Sequence, residues 1–116
     1  MVLVGGATSH SLYNEVWILN LKTLHSERLD VEGGFESRYE HSAFMPKANE
    51  AKVWVFGGAN TQENKNDLWE VDLDKLEWNK LPQMGDVPSE RTYHTTTTSK
   101  SHKSLLISKY IDCLMD

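Results

Sequence analysis

The feature that most restricts what this chain can fold into is an internal repeat. Leu3-Val4-Gly5-Gly6-Ala7-Thr8 reappears as Val55-Phe56-Gly57-Gly58-Ala59-Asn60, a displacement of 52 residues. The same displacement carries Asn14-Glu15-Val16-Trp17-Ile18-Leu19-Asn20-Leu21 onto Asn66-Asp67-Leu68-Trp69-Glu70-Val71-Asp72-Leu73, and Leu24 and Leu29 onto Leu76 and Leu81. A third anchor, Arg38-Tyr39-Glu40-His41-Ser42, recurs as Arg91-Thr92-Tyr93-His94-Thr95 after 53 residues, so one residue is inserted between anchors. A unit repeated at such a period cannot bury its apolar face alone and needs its neighbours stacked upon it.

Within each unit the local signals are those of strands. Lys52-Val53-Trp54-Val55-Phe56 is β-branched and aromatic and is stopped by a glycine pair, which predicts an inner strand. From Asp67 to Leu73 the residues Trp69, Val71 and Leu73 alternate with Leu68, Glu70 and Asp72, the period of a half-buried strand. Asn60 to Asn66 between them reads as a polar hairpin loop. A second turn at Asp72 to Leu76 leads into Trp78-Asn79-Lys80-Leu81, a short outer strand closed by Pro82.

Composition narrows the class. At 116 residues the chain has room for one ordinary domain, and its 39% hydrophobic content, below the usual ~45–50%, predicts a thin core. The formal net charge is −5 with basic residues scattered, so no footprint for a phosphate backbone exists and nucleic acid is not an expected partner. Cys113 is the single cysteine, which excludes an internal disulfide and suits a reducing cytoplasm. Met1 to Thr8 lacks the pattern of a signal peptide, and no apolar run approaches the ~20 residues of a membrane span, so direct membrane insertion is not expected.

With a period near fifty, the doublets Gly5-Gly6 and Gly57-Gly58, the downstream Trp17 and Trp69, and Trp78 ahead of a leucine, the chain resembles the kelch-repeat β-propeller family over residues 2 to about 98. The resemblance implies an all-β fold, a partial kelch β-propeller of about two four-stranded blades. Residues 1–35 would form a partial blade, 36–88 a blade whose strands run from about Glu40 to Leu81, and 89–116 the start of a third blade with a divergent tail. Ser26 stands where the first unit should repeat Trp78, so the first blade is expected to pack less well. In the third, Lys103 to Ile107 begins a strand, but Ser108-Lys109 occupies the glycine positions. Ile107, Tyr110, Ile111, Leu114 and Met115 then fall at helical spacing, which leaves helix and strand both open for the tail. A pattern that starts in mid-blade and fades in the third reads as a piece or truncated form of a longer array. Its open strand edges at Val2 to Val4 and Leu105 to Ile107 invite self-association.

Each prominent residue has a structural reading to set against a chemical one. A phosphate-cradling loop needs a helix after the glycines, whereas a polar loop and another strand follow these doublets. Gly5, Gly6, Gly57 and Gly58 are therefore expected to permit a tight bend packed against an aromatic neighbour, and Gly33, outside the doublets, to accept a side chain more readily than Gly57. Trp17, Trp54, Trp69 and Trp78 are expected in the core rather than on a ligand-stacking platform. His41, His94 and Cys113 could suggest a metal site, but residues that recur once per blade are carried apart. Each histidine is expected to bond nearby backbone instead. Tyr13, Tyr39 and Tyr93 raise the comparison with kelch-fold copper oxidases, yet no cluster of copper ligands can be assigned. Asp72 with Asp74, and Glu36 with Glu40, read as solvated turn residues rather than as an acid and a base. No catalytic motif, cofactor site or metal site is expected.

The expected function is therefore a protein-protein interaction scaffold. Arg38 to Pro46 followed by Val53 to Asn60 is similar to kelch proteins that act as Rab GTPase effectors. That resemblance implies a GTP-bound Rab GTPase as partner, a role in endosome-to-Golgi vesicle transport, and a cytoplasmic location peripheral on endosomes. Two rivals stay open, a kelch substrate adaptor of a ubiquitin ligase and a kelch-fold enzyme. The candidate partner-binding loop is Asn60, Gln62, Asn64 and Lys65, with Val31 to Ser37 as a second.

Overall fold

The structure, a computed structural model, describes residues 1–99 and 105–109; the expectations for Tyr110 to Asp116, including Cys113, lie outside the described residues. Those described form strands and no helix: β1 (Val2–Ala7), β2 (Leu12–Leu19), β3 (Ser26–Leu29), β4 (Ser42–Phe44), β5 (Lys52–Ala59), β6 (Asn64–Asp72), β7 (Glu77–Leu81), β8 (His94–Thr98) and β9 (Leu105–Lys109). They make three antiparallel sheets, in the orders β1-β2-β3, β4-β5-β6-β7 and β8-β9, which do not close into a ring. The repeat maps β1, β2 and β3 onto β5, β6 and β7, and β4 onto β8. The second sheet is thus the complete unit, while β1 is an edge where its counterpart β5 is flanked by β4.

Register explains how the apolar residues are sorted. Directly opposed residues share a face, so Val4 with Val16 points one way and Leu3 with Trp17 the other. In the second sheet, Val53 with Val71 and Val55 with Trp69 form one face, and Phe56 with Leu68 belongs to the other. Val4 and Val16 of the first sheet, Phe35 of the connector, and Val53, Val55, Val71 and Trp78 of the second form a single buried cluster. The core therefore lies between two sheets rather than inside one. Each fully buried side chain of this kind contributes roughly 1.5–3 kcal/mol.

The connector from β3 to β4 completes that core. It runs parallel to the free edge of β7, where Glu32 N–H donates to the Leu76 carbonyl (3.2 Å) and Trp78 N–H to the Glu32 carbonyl (2.6 Å). Phe35 then stacks on Trp78 at 3.9 Å and 12° and meets Trp69 edge-on at 5.6 Å. Gly33 is what lets the connector approach so closely. Its φ is +125°, and a Cβ there would fall inside the contact distance of the Trp78 carbonyl oxygen and 2.9 Å from the Trp78 Cβ. The expectation that Gly33 tolerates a side chain better than Gly57 is thereby overturned.

Of the four tryptophans expected in the core, only Trp78 is buried, at 5% exposure. Trp17, Trp54 and Trp69 are half-buried, and their indole N–H groups donate to Glu15 (2.9 Å), Glu70 (2.7 Å) and Asp67 (2.8 Å). An indole has an apolar body and one donor, and here the donor is turned toward a carboxylate on the same sheet. The turns repeat as closely as the strands. Asn20 Oδ1 accepts the N–H groups of Lys22 and Thr23, and Asp72 Oδ1 those of Asp74 and Lys75. Leu24 and Leu76 follow, both left-handed at φ 59° and 56°.

Candidate functional site

The glycine doublets, the hairpin turns and the connectors converge at one end of the sheets, and a repeated set of bonds locks them together. Gly6 N–H donates to the Arg38 carbonyl (2.9 Å), and Gly58 N–H to the Arg91 carbonyl (3.0 Å). In return, Arg38 N–H donates to the Tyr13 carbonyl (3.2 Å) and Arg91 N–H to that of Lys65 (3.0 Å). The histidines seal the same seams. His41 Nε2 bonds the Val4 carbonyl (2.9 Å); His94 Nε2 bonds the Phe56 carbonyl (3.0 Å) and lies 2.8 Å from Ser42 Oγ. Those partners are 37 and 38 residues upstream, on the preceding sheet, so the expected bonds to nearby backbone are corrected: the histidines are staples between sheets.

This arrangement also defines the work of the doublets. A Cβ on Gly57 would stand 2.8 Å from His94 Cε1 and 2.9 Å from the Arg91 oxygen, and one on Gly5 would stand 3.0 Å from both the His41 Cε1 and the Arg38 oxygen. The close neighbours are the aromatic imidazole of a histidine and a main-chain carbonyl. Burial pushes both histidines below their ordinary pKa, outweighing the bonds to Val4 and Phe56 that would raise it. With Nε2 donating to a carbonyl, each Nδ1 is a bare acceptor, buried and unpartnered.

Arg38 carries the strongest electrostatics of the site. Its side chain is fully buried, and its guanidinium makes a two-point contact with Asp67 (2.6 and 3.0 Å), donates to the Gly57 carbonyl (3.1 Å) and lies 4.5 Å from the Phe35 ring centre. Burial alone would raise the Asp67 pKa, but the bonds from Arg38 and Trp69 hold it below the usual carboxylate range. Asp67 was not singled out from the sequence. The available signal was the acid at the same repeat position, Glu15, with Arg38 and Arg91 in matching places.

The hairpin beside this lock is tighter than the sequence suggested, since β5 runs to Ala59 and β6 begins at Asn64. Asn60 Oδ1 accepts the N–H groups of Gln62 and Glu63, as Thr8 Oγ1 accepts those of His10 and Ser11 in the first unit. Asn60 therefore shapes the turn, while Gln62 and Asn64 are exposed. Lys65 is not a loop residue; it lies in β6, 7% exposed, with Nζ bonded to Glu36 (2.5 Å) and Glu63 (2.8 Å). Burial by itself would lower the Lys65 pKa, but the two carboxylates together raise it, and the bond from Lys65 holds Glu36 down.

These side chains border a cleft of about 240 Å³ between Glu36, Glu63, Lys65, Asp67, Lys80 and Glu90. Glu36 and Glu63 remain more than half exposed on its rim. The rim can accept hydrogen bonds and attract cationic groups, and Gln62 and Asn64 add amides that donate and accept. In Val31 to Ser37, the second candidate loop, Phe35 is buried in the core and Glu36 bonds Lys65, while Glu32, Gly33, Gly34 and Glu36 are exposed. Among the described residues no three or more His, Cys, Asp or Glu side chains are grouped to hold a metal ion.

Comparison of the sequence with known proteins places the chain in a family. The profile of the KLHDC2/KLHL20/DRC7 Kelch-repeats domain matches residues 1–107. The chain is 35% identical over 97 residues to the Rab9 effector protein with kelch motifs of Bos taurus and 34% identical to that of Homo sapiens, covering 84% of this chain and 26% of each relative. It is also 33% identical over 100 residues to the acyl-CoA-binding domain-containing protein 5 of Arabidopsis thaliana, 84% of this chain and 15% of that one. The chain thus spans about a quarter of the length of the effector relatives.

Proposed function

Because this chain belongs to the kelch-repeat family, we propose that it is a protein-interaction module whose partner is a GTP-loaded Rab GTPase. The likeness to Rab9 effector proteins over 84% of the chain carries this reading. The site supports it in kind. A rigid frame of main-chain and Arg38 bonds holds a short turn with exposed amides at Gln62 and Asn64 beside the exposed carboxylates of Glu36 and Glu63. Polar groups on a fixed scaffold can read a partner without first paying ordering entropy. In this reading the module acts at the cytoplasmic surface of endosomes in transport to the Golgi.

The test is capture of Rab GTPases, loaded with a GTP analogue or with GDP, on the purified chain. Retention of one of them in the GTP form, reduced at least tenfold by combining Gln62→Ala with Glu63→Lys, supports the proposal. No retention, or equal retention in both nucleotide states, overturns it.

A further inference from the structure

One short segment of the connector is wedged between both glycine doublets. On the side of the first sheet, Gly6 N–H donates to the Arg38 carbonyl and His41 Nε2 bonds the Val4 carbonyl. On the side of the second, Tyr39 and Ala59 exchange two main-chain bonds, Tyr39 N–H to the Ala59 carbonyl at 3.0 Å and Ala59 N–H to that of Tyr39 at 2.9 Å. A Cβ on Gly58 would stand 2.7 Å from the Tyr39 oxygen and 2.8 Å from the His41 Cβ, so the segment lies without slack against β5. Ala59 ends β5 and leads directly into Asn60, whose side chain sets the exposed turn.

Between the two attachments stands Glu40, at φ 57°. A residue with a side chain holds that left-handed conformation only while its surroundings impose it. Here the surroundings are the Tyr39–Ala59 pair on one side and the His41 bond on the other, and the second of these is titratable. His41 is crowded by the main chain of Val4 and Gly5 from β1 and of Gly58 from β5. The charged and titratable groups that act on it are Arg38, from its own connector, and His94, from β8. Burial above all, and then these two groups, oppose a positive charge on the ring and outweigh the bond to Val4 that favours one.

We propose that Tyr39, Glu40 and His41 form an acid-released latch on the exposed turn, with Glu40 as its hinge and the His41 ring as its catch. The catch works through the second ring nitrogen. A proton taken up by Nδ1 leaves the Nε2 bond to Val4 in place but adds a buried hydrogen with no bonding partner. Solvent satisfies that hydrogen once the ring swings out, and Glu40 is then free to leave its left-handed conformation. The Tyr39–Ala59 pair opens with it, which frees the base of the turn that carries Gln62 and Glu63. The consequence for a partner rests on reading that turn as part of the docking surface, whereas the opening itself does not.

Native-state hydrogen exchange on the intact chain tests the latch with no partner present. A single histidine that titrates near 6.5 when the latch is open, and lower when it is closed, makes opening about tenfold more favourable at about pH 5.5 than at about pH 7.5. Protection at the Tyr39 and Ala59 amides, corrected for the intrinsic pH dependence of exchange, should fall by that factor. Low concentrations of urea should leave these two amides unchanged while accelerating exchange at Val71, because a local opening exposes little surface. His41→Gln keeps a donor for the Val4 carbonyl but does not titrate, and should confine the fall to less than about twofold. Glu40→Gly takes the left-handed conformation without strain and should raise protection at both amides at either pH. Urea-dependent exchange matching that of Val71, the full acid response in His41→Gln, or protection no higher in Glu40→Gly overturns the proposal. Capture of a GTPase is a separate result, which succeeds or fails without altering the exchange pattern of the free chain.

Discussion

At the scale of single residues, the positions that matter most are those where two sheets come within contact of one backbone atom. Gly33 and Gly85 stand 52 residues apart and both have positive φ, but a Cβ on Gly85 would meet nothing within 4 Å. Gly33→Val should therefore lower the thermal midpoint at least as much as Gly57→Val, each by an amount corresponding to about 3 kcal/mol, through overpacking added to strain. Gly85→Val should cost only the strain, about 1–2 kcal/mol. Thermal denaturation of the three variants checks the order, and a Gly33→Val chain as stable as Gly85→Val would refute it. The Arg38 and Asp67 pair gives a second expectation. Arg38→Leu leaves a carboxylate without its counter-charge and should cost about 3 kcal/mol. Because the Asp67 pKa is lowered on folding, the pair's contribution is present above the unfolded value near 3.9 and is lost as pH falls through the folded one. Urea midpoints of the native chain should fall in that acid range, and those of Arg38→Leu should fall less.

At the scale of elements, the strands and turns were legible because the repeat states each of them twice. Gly5-Gly6 and Gly57-Gly58 mark the bulged ends of β1 and β5, and Leu24 and Leu76 fall in the same left-handed turn position. What joins one sheet to the next was not legible. Periodicity shows which face of a strand is buried but not which atom, dozens of residues away, stands opposite, and so His41, His94 and Arg38 were placed without their partners. The signal for Gly33 was present as its mate Gly85, but a lone glycine in a connector looks like any turn glycine. The histidine staples carry a pH dependence of definite sign. Their folded pKa values lie below the ordinary one, so the native state binds fewer protons than the unfolded chain, and stability is full above about pH 6.5 and falls as pH drops through that value toward the folded ones. Protonation would also give the buried Nδ1 of His41 a hydrogen with no bonding partner. Unfolding free energy should decline between about pH 7 and pH 5. His41→Gln should flatten that decline while lowering stability at neutral pH, and an unchanged slope would remove His41 from the account.

At the scale of the whole molecule, the placement of the core decides which parts unfold together. The resemblance to blades implies that residues from Glu40 to Leu81, the most complete unit, are the best protected. The buried cluster instead draws Val4 and Val16 from the first sheet, Phe35 from the connector, and Val53, Val55, Val71 and Trp78 from the second. Neither sheet can expose its share without uncovering the other's, because the same side chains form both faces of one seam. A seam of that kind makes the two sheets a single cooperative unit. Strand β8 contributes none of the described residues of the cluster and is joined to β5 and β4 through His94. Hydrogen exchange should therefore show the amides of β2 around Val16 protected to nearly the same degree as those of β6 around Val71, with β8 exchanging faster. Val71→Ala, which creates a cavity in the seam and costs about 2 kcal/mol, should lower protection in β1 and β2 as much as in β5 and β6. Protection lost from the second sheet alone would mean that the sheets open independently and that each is held chiefly by its own strand pairing.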